Sequence, residues 1–180
     1  MMIRKVVLYV LAASVAALPV SAGSSTPTAG SEYRLRFYHT HTNERLDIVY
    51  RRGDVYLPEA LARLDYYLRD YRTDDVHQYD PRVFDLLHEL TSSLGRPYAE
   101  INVVSGYRTP RTNEFLRSRS VHTGVAQHSL HMQAEAIDIR LPGVPTSRLR
   151  DAAVGLHRGG VGYYRGSDFV HVDVGRVRRW

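Results

Sequence analysis

Four residues in the C-terminal half of the chain have the types and spacing of a metal site. His131 and Asp138 are seven positions apart, and His171 and Asp173 lie in the run Phe169-Val170-His171-Val172-Asp173-Val174. That run alternates, so a strand there puts His171 and Asp173 on one face and valines on the other. Ala136-Ile137-Asp138-Ile139 alternates as well and sets Asp138 opposite two isoleucines that pack inward. A carboxylate emerging from a buried strand needs a partner, because an isolated buried charge is strongly unfavourable, and a metal ion supplies one. Two histidines and one carboxylate, with a fourth position left to water, make up a catalytic zinc site. Spacing alone does not decide the matter: a lone strand histidine is more often an ordinary hydrogen-bonded residue than a ligand.

Composition removes several other chemistries. There is no cysteine, so thiol catalysis and disulfides are excluded. Lys5 is the only lysine and lies at the extreme N-terminus, which argues against a lysine nucleophile or a phosphate-loop lysine in the folded domain. His39 and His41 would share one side of a strand but lack a suitably spaced carboxylate, and read as structural or substrate-facing. His122 and His128 fall in a polar loop and read as solvated. Of the 13 tyrosines, Tyr107 and Tyr163 are candidates to line a groove.

The elements that must position these residues are legible from periodicity. Residues 33–38 and 45–50 alternate around Thr42-Asn43-Glu44 and predict a β-hairpin. Leu61, Leu64 and Leu68 predict a helix over 58–71, and Asp80-Pro81 predicts the start of a second that runs to Ser93. A buried strand over 99–104 leads to a Ser-Gly loop, a short helix around 112–118 and a long polar loop to Ser129, where chemistry is expected to concentrate. A strand at 135–139, a helix over 146–157 ended by Gly159-Gly160, and a pair of strands over 161–174 complete an α+β pattern with strands gathered in the C-terminal half.

The N-terminus, Met1-Met2-Ile3-Arg4-Lys5, precedes a 13-residue stretch from Val6 to Leu18 that is apolar except for Ser14, and then the small-residue stretch before Gly23. This predicts a signal peptide over 1–22, too short in its apolar part to be a stable membrane span. Residues 23–31 read as a flexible tether and 32–180 as one domain. Removing the signal takes one arginine and one lysine, so the net charge falls from +5 to +3. Export and the absence of a dense Lys/Arg run argue against a nucleic-acid partner.

Five motifs in order, Ser105-Gly106-Tyr107-Arg108, Ser129-Leu130-His131, Ala136-Ile137-Asp138, Gly162-Tyr163-Tyr164 and Val170-His171-Val172-Asp173, resemble the D-Ala-D-Ala zinc metallopeptidases that cleave peptidoglycan. The resemblance is to their exported murein endopeptidase branch, within the lysostaphin/D-Ala-D-Ala/hedgehog fold group, and runs from about Tyr33 to Trp180. It implies a small, mainly antiparallel sheet flanked by helices. It also implies Zn2+ held by His131, Asp138 and His171, substrate contacts from Arg108 and Ser129, peptidoglycan peptide stems as partner, and an exported protein that is periplasmic or cell-wall associated. Ser129 could equally cap its loop. The family pattern S-x-H-x-x-G-x-A-x-D is broken once, where Ala134 replaces the glycine, a change that matters if the backbone there needs positive φ.

The implied reaction is hydrolysis of a peptide cross-link by a zinc-acidified water, with Arg108 positioning the stem. Asp173 is the expected proton acceptor, with Asp168, at the position of the family's E-x-x-H acid, as the alternative; Asp173 could instead orient a ligand. The other readings are a D-Ala carboxypeptidase or dipeptidase and a non-catalytic zinc-containing wall-binding module.

Overall fold

The structure is a computed structural model that describes residues 31–119 and 124–180. The expected signal over 1–22, the tether up to residue 30 and His122 lie outside the described residues. Strand β1 (Glu32–His39) pairs antiparallel with β2 (Arg45–Arg52), placing Leu35 opposite Ile48 and Phe37 opposite Leu46, and β3 (Val55–Tyr56) extends this ribbon. Helices α1 (Pro58–Tyr67) and α2 (Arg82–Ser93) lead to β4 (Glu100–Ser105), and α3 (Pro110–Ser118) leads towards a 3₁₀ turn over Leu130–Gln133. Then follow β5 (Ala136–Arg140), α4 (Thr146–Leu156), β6 (Gly160–Tyr164), β7 (Phe169–Asp173) and β8 (Arg178–Arg179).

All eight strands form one sheet in the order β3-β2-β1-β4-β5-β7-β6-β8. The N-terminal hairpin is therefore not a separate unit: β1 runs parallel to β4, with Phe37 beside Ile101. The second parallel pairing is β6 with β8, and the remaining neighbours are antiparallel. The fold is α+β, and its sheet is mixed and draws strands from both halves of the chain.

One sheet face is apolar. Phe37, Ile101, Ile137, Ile139, Val170 and Val172 are buried together with Phe84, Leu87 and Leu90 of α2 and Leu149 and Ala153 of α4. Period-two alternation then sends Asp138 and His171 to the opposite face, and the β5–β7 register sets the two directly across from each other.

Two helix ends differ from expectation. Helix α1 stops at Tyr67, four residues early, because the chain turns to bring Asp70 against Thr109: its Oδ2 accepts from the Thr109 backbone N–H at 2.9 Å and hydroxyl at 3.0 Å. Helix α4 ends on His157 in the left-handed region (φ 52°) and not on Gly159-Gly160. Those glycines answer to a different constraint. A Cβ on Gly159 would lie 1.8 Å from the Asp173 carbonyl oxygen, and one on Gly160 would lie 2.4 Å from Asp173 Oδ2.

Asp85 of α2 ties the hairpin to the helices. Its carboxylate accepts from the Tyr50 hydroxyl at 2.9 Å, from Arg51 at 3.3 Å and from the Tyr56 hydroxyl. Burial, reinforced by Asp85, pushes the Tyr50 hydroxyl well above its ordinary pKa, so it stays a donor. Asp85→Ala would leave a buried hydroxyl and a largely buried guanidinium without this acceptor. It is expected to cost about 3 kcal/mol, read from urea denaturation midpoints.

Candidate metal centre

His131 enters the site from the 3₁₀ turn, Asp138 from β5 and His171 from β7. His131 Nε2 lies 3.1 Å from Asp138 Oδ1 and 3.0 Å from His171 Nδ1, and His171 Nδ1 lies 2.9 Å from the same carboxylate oxygen. The three atoms form a nearly equilateral triangle. All three residues are buried, His131 completely.

The other nitrogen of each imidazole fixes what faces this triangle. His131 Nδ1 is 2.7 Å from the carbonyl oxygen of Gly106, which can only accept, so that nitrogen carries the proton and Nε2 presents a lone pair. His171 Nε2 is 3.1 Å from Asp173 Oδ2, so it donates there and Nδ1 presents a lone pair. Burial lowers the His131 pKa to about 4, with the Arg108 charge adding to the effect, which keeps that ring neutral. Burial opposes ionisation of Asp138, yet the two histidines hold its pKa well below the ordinary carboxylate range. Two imidazole lone pairs and a carboxylate oxygen aimed at one point form a donor set that a divalent cation satisfies, with ligand types that suit zinc.

Local backbone geometry makes the convergence possible. The Gly106 carbonyl reaches His131 because the loop at 105–107 runs hard against the end of α1, where a Cβ on Gly106 would lie 2.5 Å from the Leu68 carbonyl oxygen. Between His131 and Asp138, Ala134 adopts φ 52° and ψ 38° and is fully buried. The expected glycine position does carry positive φ, and alanine accepts the left-handed strain that glycine avoids. Ala134→Gly is expected to change stability by less than about 1 kcal/mol. Ala134→Val adds a β-branch at positive φ in a filled core and should cost about 2–3 kcal/mol in denaturant titrations.

A pocket of about 130 Å³ opens onto Asp138 and His171. Arg108 and Ser129 line it, as do His128, Tyr164 and Trp180. Arg108 is buried, with Nη2 3.9 Å from Asp138 Oδ2, and its Nε has no hydrogen-bond partner among the described residues. Burial pulls this guanidinium below its ordinary pKa against the attraction of Asp138. The Ser129 hydroxyl makes no capping hydrogen bond to the 3₁₀ turn.

A sequence profile described as peptidoglycan L,D-endopeptidase MepK matches residues 27–180. The chain belongs to that family. It is 42% identical over 146 residues to the probable peptidoglycan L,D-endopeptidase MepK of Haemophilus influenzae, spanning 81% of this chain and 77% of that protein. It is 38% identical over 170 residues to the peptidoglycan L,D-endopeptidase MepK of Escherichia coli K12, spanning 94% of this chain and 90% of the relative.

Within this MepK-family chain, the residues expected from sequence to bind metal do come together, and Arg108 and Ser129 stand on the wall beside them. Asp173 requires a correction. It is fully buried on the far side of the His171 ring, where Oδ1 accepts from the backbone of Gly160 at 2.9 Å and Gly175 at 3.0 Å, and Arg178 grips both oxygens at 3.1 and 2.7 Å. With His171 on Oδ2, its acceptor capacity is used and it does not line the pocket. That geometry orients a ligand and does not suit a proton acceptor. Asp168 is exposed at the β6–β7 turn (φ 53°) and accepts from the Thr146 hydroxyl at 2.7 Å, which is the setting of a turn residue.

His128 is exposed, as its reading as a solvated loop residue expects, and it also lines the pocket; sequence reading passed over Asp70, which anchors the residue after Arg108. Tyr164, and not Tyr163, faces the pocket, because Gly162 and Tyr164 share the His171 side of the sheet in the β6–β7 register. His39 is structural: its Nδ1 accepts the backbone N–H groups of His41 and Thr42, and burial lowers its pKa to about 4. His41 stacks on Tyr71 at 4.3 Å.

Proposed function

We propose that this chain is an exported, zinc-dependent peptidoglycan endopeptidase acting on cross-linked peptide stems in the periplasm or at the cell wall. The observation that carries the reading is the triangle of lone pairs from His131, Asp138 and His171, two of whose members, Asp138 and His171, line a pocket. The L,D specificity in the relatives' names is carried over here. A bond with D-alanine on its acyl side is not an L,D bond, which leaves the link between two diaminopimelates as the substrate.

His131, Asp138 and His171 would hold the zinc, which when bound supplies Lewis-acid polarisation of the scissile carbonyl and acidifies a water. Arg108 lines the pocket with its Nε–H unpaired among the described residues, and its planar fork suits a carbonyl or carboxylate of the stem. Ser129 offers its hydroxyl on the same wall. Asp173 keeps the proton of His171 on Nε2 and the lone pair on Nδ1. His128 is the imidazole on the pocket wall outside the ligand set, and takes the proton released as water attacks.

Mass spectrometry of purified muropeptide dimers incubated with the zinc-loaded protein tests this reading. Monomers with product masses of the diaminopimelate–diaminopimelate cut are expected. Loss of a terminal alanine alone would make the chain a carboxypeptidase, and intact dimers would leave a wall-binding module.

A further inference from the structure

Trp180 is the only tryptophan in the chain, and it lines the pocket beside Asp138 and His171. Its backbone is fixed: Trp180 N–H donates to the Val161 carbonyl at 3.2 Å, and the Trp180 carbonyl accepts from Tyr163 N–H at 3.0 Å. The side chain is fixed as well. Its Nε1–H donates to the Tyr164 hydroxyl at 3.1 Å, and that hydroxyl donates to the Gly124 carbonyl at 3.3 Å. The ring centroid lies 5.3 Å from that of His171, and the Arg178 guanidinium sits 5.0 Å from the indole.

Gly162 makes room for this placement. A Cβ there would fall 2.7–2.9 Å from three atoms of the indole, so the glycine directly across from His171 is what lets the ring lie beside the metal ligand. Yet the residue remains 51% exposed. A large aromatic held by backbone and side-chain hydrogen bonds, with its polar atom already satisfied and its apolar surface open beside the site, is a preformed contact surface with little ordering entropy left to lose.

We propose that Trp180 is the platform on which one diaminopimelate of the cross-link lies, its methylene chain and peptide plane against the indole, facing Arg108 and Ser129 across the pocket. This rests on the endopeptidase reading above and adds a specificity-determining residue to it. Gly162 is then a positioning residue, acting through the ring it leaves room for.

The test uses the zinc-loaded full chain and purified diaminopimelate-linked muropeptide dimers. Trp180→Ala is expected to raise KM about tenfold while kcat stays within about threefold and bound zinc is unchanged, with Trp180→Phe recovering most of the loss. Gly162→Ala, which keeps the tryptophan but displaces it, should reproduce the KM defect. Because Trp180 is the sole indole, stopped-flow fluorescence of the unmodified protein should change on mixing with dimers, before turnover. An unchanged KM in both variants with no fluorescence change overturns the proposal. So does loss of zinc or of thermal stability in step with activity, which would make Trp180 a structural residue. If the unmodified protein cuts no dimer, the endopeptidase reading fails, and the fluorescence titration still decides whether dimers lie on Trp180.

Discussion

Asp138→Ala is expected to leave a folded protein that retains no stoichiometric zinc and has lost at least about a thousandfold in activity. Asp138 supplies the only anionic oxygen of the triangle, 3.1 Å from His131 Nε2 and 2.9 Å from His171 Nδ1. Without it, two imidazoles remain, and the Arg108 guanidinium, whose Nη2 lies 3.9 Å from the lost carboxylate, repels a cation. The apolar face of β5, carried by Ile137 and Ile139, is untouched, so the circular dichroism spectrum should match the parent. Chelation of the unaltered protein should give the same loss and be reversed by added zinc. Activity within tenfold of the parent after either treatment would show that the reaction does not run through this centre.

The second large effect separates two roles by their response to zinc. Asp173→Asn keeps the shape but puts an amide where two oxygens accept five hydrogen bonds. Whichever way the amide turns, its NH₂ faces donors. If it faces His171 Nε2–H, the ring is driven to the other tautomer and Nδ1 loses its lone pair. Zinc affinity is therefore expected to fall about 10- to 100-fold, with activity recovering as zinc is raised. His128→Gln should instead bind zinc normally and lose about a hundredfold in kcat that no zinc concentration restores. The reverse pattern would return Asp173 to the role of proton acceptor.

The common face of Asp138 and His171 was legible because it rides on strong local patterns, whereas His131, on a 3₁₀ turn, joined them only through the family resemblance. Alternation in Ala136–Ile139 and Phe169–Val174 gives the face of each side chain, and β5 and β7 follow it. Alternation does not give depth. Asp173 shares a face with His171, as expected, but the Cβ-free Gly159-Gly160 segment packs over it and removes it from the pocket. The parallel β1–β4 pairing joins residues 36–39 to 100–103, and no short-range pattern marks a contact at that separation. The early end of α1 has the same origin, since Asp70 leaves the helical path for a partner 39 positions away. Trp180 carried a usable signal in being unique, but its place beside His171 depends on a parallel pairing of only two residues, too short to read from sequence.

The chain has no cysteine, and the three side chains that converge as candidate metal ligands come from positions 131, 138 and 171. An ion shared by those groups would join residues 131 to 171 as a reversible cross-link, in a chain that has no cysteine for a covalent one. A ligand held by the folded state alone shifts the folding equilibrium towards that state by mass action. If the folded chain holds such an ion, its persistence is set by the free metal around it as well as by its core, and a metal-poor environment would both silence the site and loosen the polypeptide that builds it.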